Sequence, residues 1–235
     1  MRNYFTFGSY DSRNLGIYLS GSGVFNSPEH SLEFISIPGR NGDLIGSNKK
    51  FENVELVYPA FVSRNMLNNI VDIKSALMSV SSYTRLSDTY FPSEYRMAVC
   101  TDAIVFNPLK DLKAAEMDIV FNCKPQRYLT IGETKQTFTA SGTISNPTKF
   151  PSKPQITVTG YGTLVIGGTT ITIVNVYPSV VIDSELGDCY YGTTNANGQV
   201  TFSTIDFPVL ESGSNAVTIS GNITKVEIVP RWWRI

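Results

Sequence analysis

Three prolines lie close together near the middle of the chain, and they constrain its fold more than any other feature. Pro147, Pro151 and Pro154 sit within a long polar stretch (residues 121–162), and an alternating strand follows at residues 155–159. Proline lacks a backbone donor and fixes φ, so this cluster cannot lie inside a central strand. A compact domain rarely contains so long a stretch without a pattern. We therefore predict a boundary between two domains here.

This interpretation gives an N-terminal domain of residues 1–130, a linker region of residues 131–154, and a C-terminal domain of residues 155–235 that includes part of the linker. The alternative is a long surface connection within one large β-sandwich. The chain has 235 residues, which is enough for either arrangement to bury a core.

Strands and a single helix are predicted for the N-terminal domain. Period-2 patterning bounded by Gly and Ser marks short strands, as at residues 31–37 and 51–61, and residues 83–92 read as an aromatic loop. Apolar side chains then recur at steps of four and three, which predicts a helix over about residues 64–80, capped by Ser63 and packed by one face on a sheet. The residues of that face are Met66, Ile70, Ile73, Leu77 and Val80.

The C-terminal domain has an almost purely β pattern. Two alternating runs surround Gly167-Gly168, which is a strong hairpin signal, and many short strands follow at regular spacing. The predicted fold class is therefore mainly β: an N-terminal β-sandwich or split barrel with one helix, followed by a C-terminal β-sandwich.

Composition excludes several classes of function. The net charge is −1, so no electrostatic case exists for binding nucleic acid or an anionic membrane. Cys100, Cys123 and Cys189 are far apart and odd in number, which argues against a disulfide framework or thiolate metal site; we expect the first two to be buried thiols. The apolar runs are too short for a membrane segment and no signal peptide is evident, so we expect synthesis in a cytoplasm.

Catalytic chemistry has little support in the sequence. The only histidine, His30, lies in a turn, and no Ser or Cys has the surroundings of a nucleophile. Asp183 and Glu185 form the best carboxylate pair, two residues apart at the end of a strand, where they could hold a metal or act on a sugar. The simpler interpretation is an acidic turn. We predict no enzyme, no metal site and no cofactor.

Two adjacent tryptophans, Trp232 and Trp233, are the most distinctive feature near the C-terminus. Neighbouring residues on a strand face opposite sides, so one indole can fill a core while the other meets something else. That second contact could be a domain, a subunit or a sugar ring. Trp and Arg are typical of interfaces, and we favour a packing or subunit contact.

Several segments, taken together in their order and spacing, resemble the distal tail protein (Dit) family of siphophages that infect Gram-positive bacteria. The resemblance runs along nearly the whole chain. Its segments are IPGRNG at 37–42, LSDTY at 86–90, FNCKPQRY at 121–128, NPT at 146–148 with SKP at 152–154, IDSE at 182–185, FP at 207–208 and PRWW at 230–233.

This resemblance implies a structural role in the virion, at the tip of a long non-contractile tail. The N-terminal domain would form a homohexameric ring, and the C-terminal domain would be galectin-like. The implied partners are the tail tube protein, the tail-tip or tail-associated lysin protein and a receptor-binding protein. We expect Arg40, Asn41, Arg231, Trp232 and Trp233 to lie at interfaces. The alternative is a carbohydrate-binding module that recognises the host cell wall, and a weaker one is a glycan hydrolase using Asp183 and Glu185.

Overall fold

The computed structural model describes residues 3–21, 23, 25–63, 65–110, 113–174 and 178–235. These residues are mainly in β-strands with a single α-helix, which confirms the predicted fold class. The chain divides into two compact units: unit 1 is Met1–Arg127 with Ile235, and unit 2 is Tyr128–Arg234. The roles predicted for the two domains stay predictions.

Unit 1 contains the first ten strands and the helix. They are β1 (Phe5–Phe7), β2 (Tyr10–Asp11), β3 (Ile17–Leu19), β4 (His30–Ile35), β5 (Leu44–Phe51), β6 (Val54–Ser63), α1 (Met66–Met78), β7 (Thr84–Asp88), β8 (Glu94–Cys100), β9 (Asn107–Pro108) and β10 (Ala114–Leu129), which continues into unit 2.

One antiparallel sheet dominates unit 1, in the order β2-β1-β7-β8-β10-β6-β3, with β9 beside β10. Strand β7 occupies five of the ten residues 83–92, so the prediction of a loop over this whole segment is wrong. Leu86 of β7 is buried and pairs with Phe7 of β1. Aromatic rings fill the centre of the core. The ring of Phe5 lies 5.4 Å from that of Tyr58 and 5.5 Å from that of Phe121, between centroids.

Helix α1 begins and ends within two residues of the predicted bounds. Ser63 is the last residue of β6 and does not cap the helix; Asn65 occupies the cap position with φ 40° and no capping side-chain hydrogen bond. The predicted inner face is confirmed, because Met66, Ile73 and Leu77 are all buried in the core of unit 1.

Unit 2 contains the remaining strands and two short 3-10 turns. They are η1 (Thr130–Glu133), β11 (Gln136–Phe138), β12 (Gly142–Asn146), β13 (Gln155–Ile166), β14 (Thr169–Ile173), β15 (Ser179–Asp183), β16 (Asp188–Tyr191), β17 (Thr194–Asn195), η2 (Asn197–Gln199), β18 (Val200–Phe202), β19 (Gly213–Val229) and β20 (Trp233–Arg234).

Unit 2 is built around two long antiparallel strands: the whole of β13 pairs with β19 from Val217 to Val229. The first half of β13 also pairs with β15, and the second half pairs with β14. The register shifts between Thr159 and Gly160. Apolar side chains from both halves, such as Val158 and Leu164, enter the same core, so the halves form the two layers of a sandwich.

Glycines make the corner between these layers possible. Gly162 has φ +142° and faces Gly221, whose φ is +79°. A Cβ on Gly221 would lie 2.9 Å from the Cα of Gly162, and a Cβ on Gly162 would collide with the carbonyl oxygen of Ser220. Backbones that approach so closely at a bulge leave no room for a side chain.

The region predicted as a linker contributes to the sheet of unit 2. Strand β11 pairs with the C-terminal part of β19, and β12 pairs with its N-terminal part. Residues 131–154 therefore belong to unit 2 and contribute two strands to its sheet. The three prolines lie outside strands, as expected, in the segment between β12 and β13.

All three cysteines are buried free thiols, which confirms the prediction for Cys100 and Cys123. Burial raises the pKa of Cys100 to about 11 and the pKa values of Cys123 and Cys189 to about 12. The reactive thiolate is therefore scarce at neutral pH.

In the described residues, no helix has the length and apolar character needed to cross a bilayer.

Candidate interaction surfaces

The hairpin of β4 and β5 is the most unusual surface of unit 1. Its two strands form a sheet of their own, joined by no further strand among the described residues. Phe34 pairs with Ile45, and Ile35 pairs with Leu44. Consecutive pairs point to opposite faces of a hairpin, so each face carries an apolar pair.

These apolar side chains are open to solvent within a single chain. The exposed fraction is 63% for Phe34 and 57% for Ile45, and Ile35 and Leu44 are exposed too. An isolated two-stranded hairpin is only marginally stable in water, and contiguous exposed apolar side chains mark interaction sites. The hairpin therefore has the properties of an arm that is covered by another molecule.

Arg40 and Asn41 lie in the connection between β4 and β5, and both are exposed. The backbone amide of Arg40 donates to the carbonyl of Ile37 at 3.1 Å, which closes a turn there. Both residues therefore lie at the end of the apolar hairpin, where their side chains are accessible to a partner. Their contact with a partner stays a prediction.

Helix α1 carries a second apolar stripe that the sequence reading missed. Leu67, Val71 and Met78 are exposed and recur at steps of four and seven, so they share one face of the helix. The buried stripe of Met66 and Leu77 lies about a third of a turn away around the helix axis. The sequence did contain a signal for this second stripe. A helix that packs on a sheet needs only one apolar face, and α1 has apolar residues on two.

Asp183 is buried inside unit 2 and forms an ion pair with Arg231, whose side chain is partly exposed. Its two carboxylate oxygens accept hydrogen bonds from the Arg231 guanidinium at 2.6 and 2.8 Å. The side-chain amide of Gln155 donates at 2.9 Å, and the backbone amide of Leu186 donates at 3.2 Å. Asp183 is only 1% exposed. Its carboxylate is therefore fully engaged in holding the fold.

The pKa of Asp183 reflects this pairing. Burial by itself raises the pKa of a carboxyl group, but the hydrogen bonds from Arg231, Gln155 and the Leu186 amide outweigh it and lower the pKa to about 2. Glu185 lies in the turn that follows and is exposed. A glycosidase needs one carboxyl group kept protonated and both able to reach the substrate. Neither condition is met by Asp183 in this arrangement.

The two tryptophans take different positions, as the strand alternation predicted. Trp232 is 2% exposed and lies in the core of unit 2, so its side chain is not available to a partner. Trp233 is half-buried: its ring stacks on Phe150 with centroids 4.5 Å apart, and its Nε1 donates to the carbonyl of Pro151 at 2.9 Å. A partner contact of Trp233 stays a prediction.

Backbone contacts fix the segment that carries these residues. The amide of Arg231 donates to the carbonyl of Gly132 at 2.8 Å, and the amide of Leu129 donates to the carbonyl of Trp232 at 2.8 Å. Arg231 has φ 55°, a conformation that costs about 1 kcal/mol or more in a non-Gly residue. The two hydrogen bonds to Asp183 hold the Arg231 side chain in this conformation.

No protein-family model and no curated protein sequence matches the chain. Solved structures do match it in fold. The crystal structure of SPP1 Dit (gp 19.1), described as a paradigm of hub adsorption apparatus in phages that infect Gram-positive bacteria, gives a TM-score of 0.71 at 11% identity over 100% of both chains.

Two structures of the phage P2 baseplate in its activated conformation match as well. The one with Ca gives a TM-score of 0.55 over 97% of both chains, and the one with Sr gives 0.51 over 96% of this chain and 97% of that chain, each at 12% identity. The chain therefore has the Dit-like fold that the sequence led us to expect.

Proposed function

We propose that the chain is a structural subunit of the hub at the tip of a long phage tail. Six copies would form a ring that joins the tail tube to the tail-tip proteins and anchors receptor-binding components. The proposal includes location in the virion, assembly in the cytoplasm of the host, and no catalytic activity. The fold likeness to SPP1 Dit over the whole chain supports it.

The observation that carries the proposal is the β4–β5 hairpin. Apolar pairs on both of its faces cannot be covered by one surface of the chain's own unit 1. Complete burial of an exposed apolar side chain contributes about 1.5–3 kcal/mol, and these four, which are 41–63% exposed, would each contribute roughly half of that before the entropic cost of association. Each copy supplies one arm, and contacts that repeat from one copy to the next close into a ring when the rotation allows.

The mass in solution tests this assembly. We expect light scattering on a sizing column to give a species of about 155 kDa, which corresponds to six copies of the 25.9-kDa chain. Changing Ile45→Glu should yield the single chain, because a charge would be buried at the arm's contact. The matched control is Ile205→Glu, at a fully exposed isoleucine of unit 2, which should keep the larger mass.

Two results would contradict the proposal. One is a wild-type chain that stays monomeric over a wide range of concentration. This result would exclude a ring that forms from this chain alone. The other is an Ile45→Glu variant that keeps the larger mass, which would leave assembly in place but exclude the hairpin as its contact. Circular dichroism of both variants shows whether the fold is kept.

A further inference from the structure

A neutral cleft lies on the outer surface of unit 2, beside the corner of the sandwich. It has a volume of about 310 Å³ and is lined by Tyr161, Gly162 and Thr163 of β13 and by Thr172, Ile173 and Val174 at and just after the end of β14. Cavities of this size are typical of sites for small ligands. None of the side-chain contacts described for unit 2 involves a residue of this cleft.

The glycine corner produces the cleft. Tyr161 stands between Gly160 and Gly162, both with positive φ, at the register shift of β13. This local backbone leaves the Tyr161 side chain 51% exposed on the outside of the sandwich, although the strand on each side packs into the core. Gly162, having no side chain, leaves room beside the tyrosine ring.

The lining has the chemistry that binds a neutral sugar ring. Among the residues that the structure describes, no acidic or basic side chain lines the cleft, so none of them favours a charged ligand. Thr163 and Thr172 are directly paired across the strands and therefore lie side by side. Within the described part of the chain, the side-chain hydroxyls of Tyr161, Thr163 and Thr172 have no hydrogen-bond partner and can bind a ligand.

We propose that this cleft binds a neutral saccharide. An aromatic face covers the apolar C–H face of a pyranose ring, and the two threonine hydroxyls can exchange hydrogen bonds with ring hydroxyls. The site is distinct from the tryptophan pair in which the sequence suggested sugar binding, because Trp232 is buried and Trp233 is stacked on Phe150. It goes beyond the proposed hub function and does not depend on ring formation.

Saturation-transfer NMR on the full-length chain tests the proposal. The probes are the methyl glycosides of glucose and galactose and N-acetylglucosamine, with glucuronic acid as the charged counterpart. We expect transfer to at least one neutral probe and weaker transfer to glucuronic acid. Tyr161→Ala should weaken binding about tenfold, and Tyr161→Phe should keep most of it, because the ring supplies the stacking contact.

The matched control is Tyr191→Ala, which removes a tyrosine of the same unit that is 45% exposed but lies outside the cleft. Binding should be unchanged in that variant. The absence of transfer to all three neutral probes overturns the proposal, as does equal weakening in Tyr161→Ala and Tyr191→Ala, or a preference for glucuronic acid. The mass of the wild-type assembly is measured separately, so this test and that of the hub function can fail independently.

Discussion

Replacing Asp183→Asn is expected to lower the free energy of unfolding of unit 2 by about 2–3 kcal/mol. The substitution leaves the guanidinium of Arg231 without its bidentate partner, in a place where the Asp183 side chain is almost completely buried. It also weakens the acceptor for the backbone amide of Leu186. The Arg231 side chain is 26% exposed, so water partly solvates the unpaired guanidinium and the loss stays below that of a fully buried pair.

Urea unfolding followed by tryptophan fluorescence measures this loss, because both tryptophans of the chain, Trp232 and Trp233, belong to unit 2. Asp206→Asn, at an exposed aspartate of the same unit, is the control and should change stability by less than about 0.5 kcal/mol. The double variant Asp183→Asn/Arg231→Met should recover part of the loss. A loss below about 1 kcal/mol in Asp183→Asn would contradict a structural role of the pair.

Acid sensitivity of unit 2 follows from the same ion pair. The pKa of Asp183 is about 2 in the folded chain, below the ordinary value of 3.8 expected for the unfolded chain. A carboxyl group with a depressed pKa contributes stability that is complete above pH 4 and is lost as the pH falls through 2. The difference corresponds to about 2 kcal/mol. Unfolding measured at pH 2–5 should show this dependence in the wild type and a smaller one in Asp183→Asn.

Gly167→Ala is expected to have the second large effect, and its neighbour supplies the control. Gly167 and Gly168 form the two-residue turn between β13 and β14, with φ of +57° and +79°. A Cβ on Gly167 would collide with the backbone carbonyl oxygen of Val209, whereas a Cβ on Gly168 meets nothing within 4 Å. Both substitutions carry the cost of positive φ, about 1–2 kcal/mol, but only the first requires the backbone at Val209 to move.

We therefore expect Gly167→Ala to destabilise unit 2 by roughly 2 kcal/mol more than Gly168→Ala, from the overpacking that the collision imposes. The segment at Val209 has little freedom to shift, because the next residue, Leu210, is hydrogen-bonded to Ser152 in both directions. Thermal unfolding of the two variants under the same conditions measures the difference. Equal melting temperatures would show that this segment moves away without cost.

Local patterns in the sequence were sufficient where a residue and its structural role lie close together. The stripe of Met66, Ile73 and Leu77 predicted the buried face of the helix, and Gly167-Gly168 predicted the hairpin turn. The two strands within residues 131–154 were not predicted, for a physical reason. Strands β11 and β12 each pair only with β19 among the described strands, and most of their side chains are not buried, so they show little apolar alternation.

Local patterns could not predict contacts between residues that are distant in the sequence. Asp183 and Arg231 were each noted as candidates for other roles, but nothing local indicates that they bind each other. The tryptophan pair predicted one buried and one partly exposed indole, yet only the packing of unit 2 decides that Trp232 is the buried one. The cleft at Tyr161 depends on a change of register between β13 and β19, which no single segment encodes.

The long pairing of β13 with β19 also has a kinetic consequence. Because both layers of the sandwich share these two strands, neither layer can form its full set of hydrogen bonds before the strands meet. The pairs extend from Ile166 with Val217 to Gln155 with Val229, so they close large loops of chain. The entropic cost of closing those loops arises before most of the stabilising contacts can form. Unit 2 should therefore fold slowly for its size, and its two layers should gain protection from hydrogen exchange at the same time.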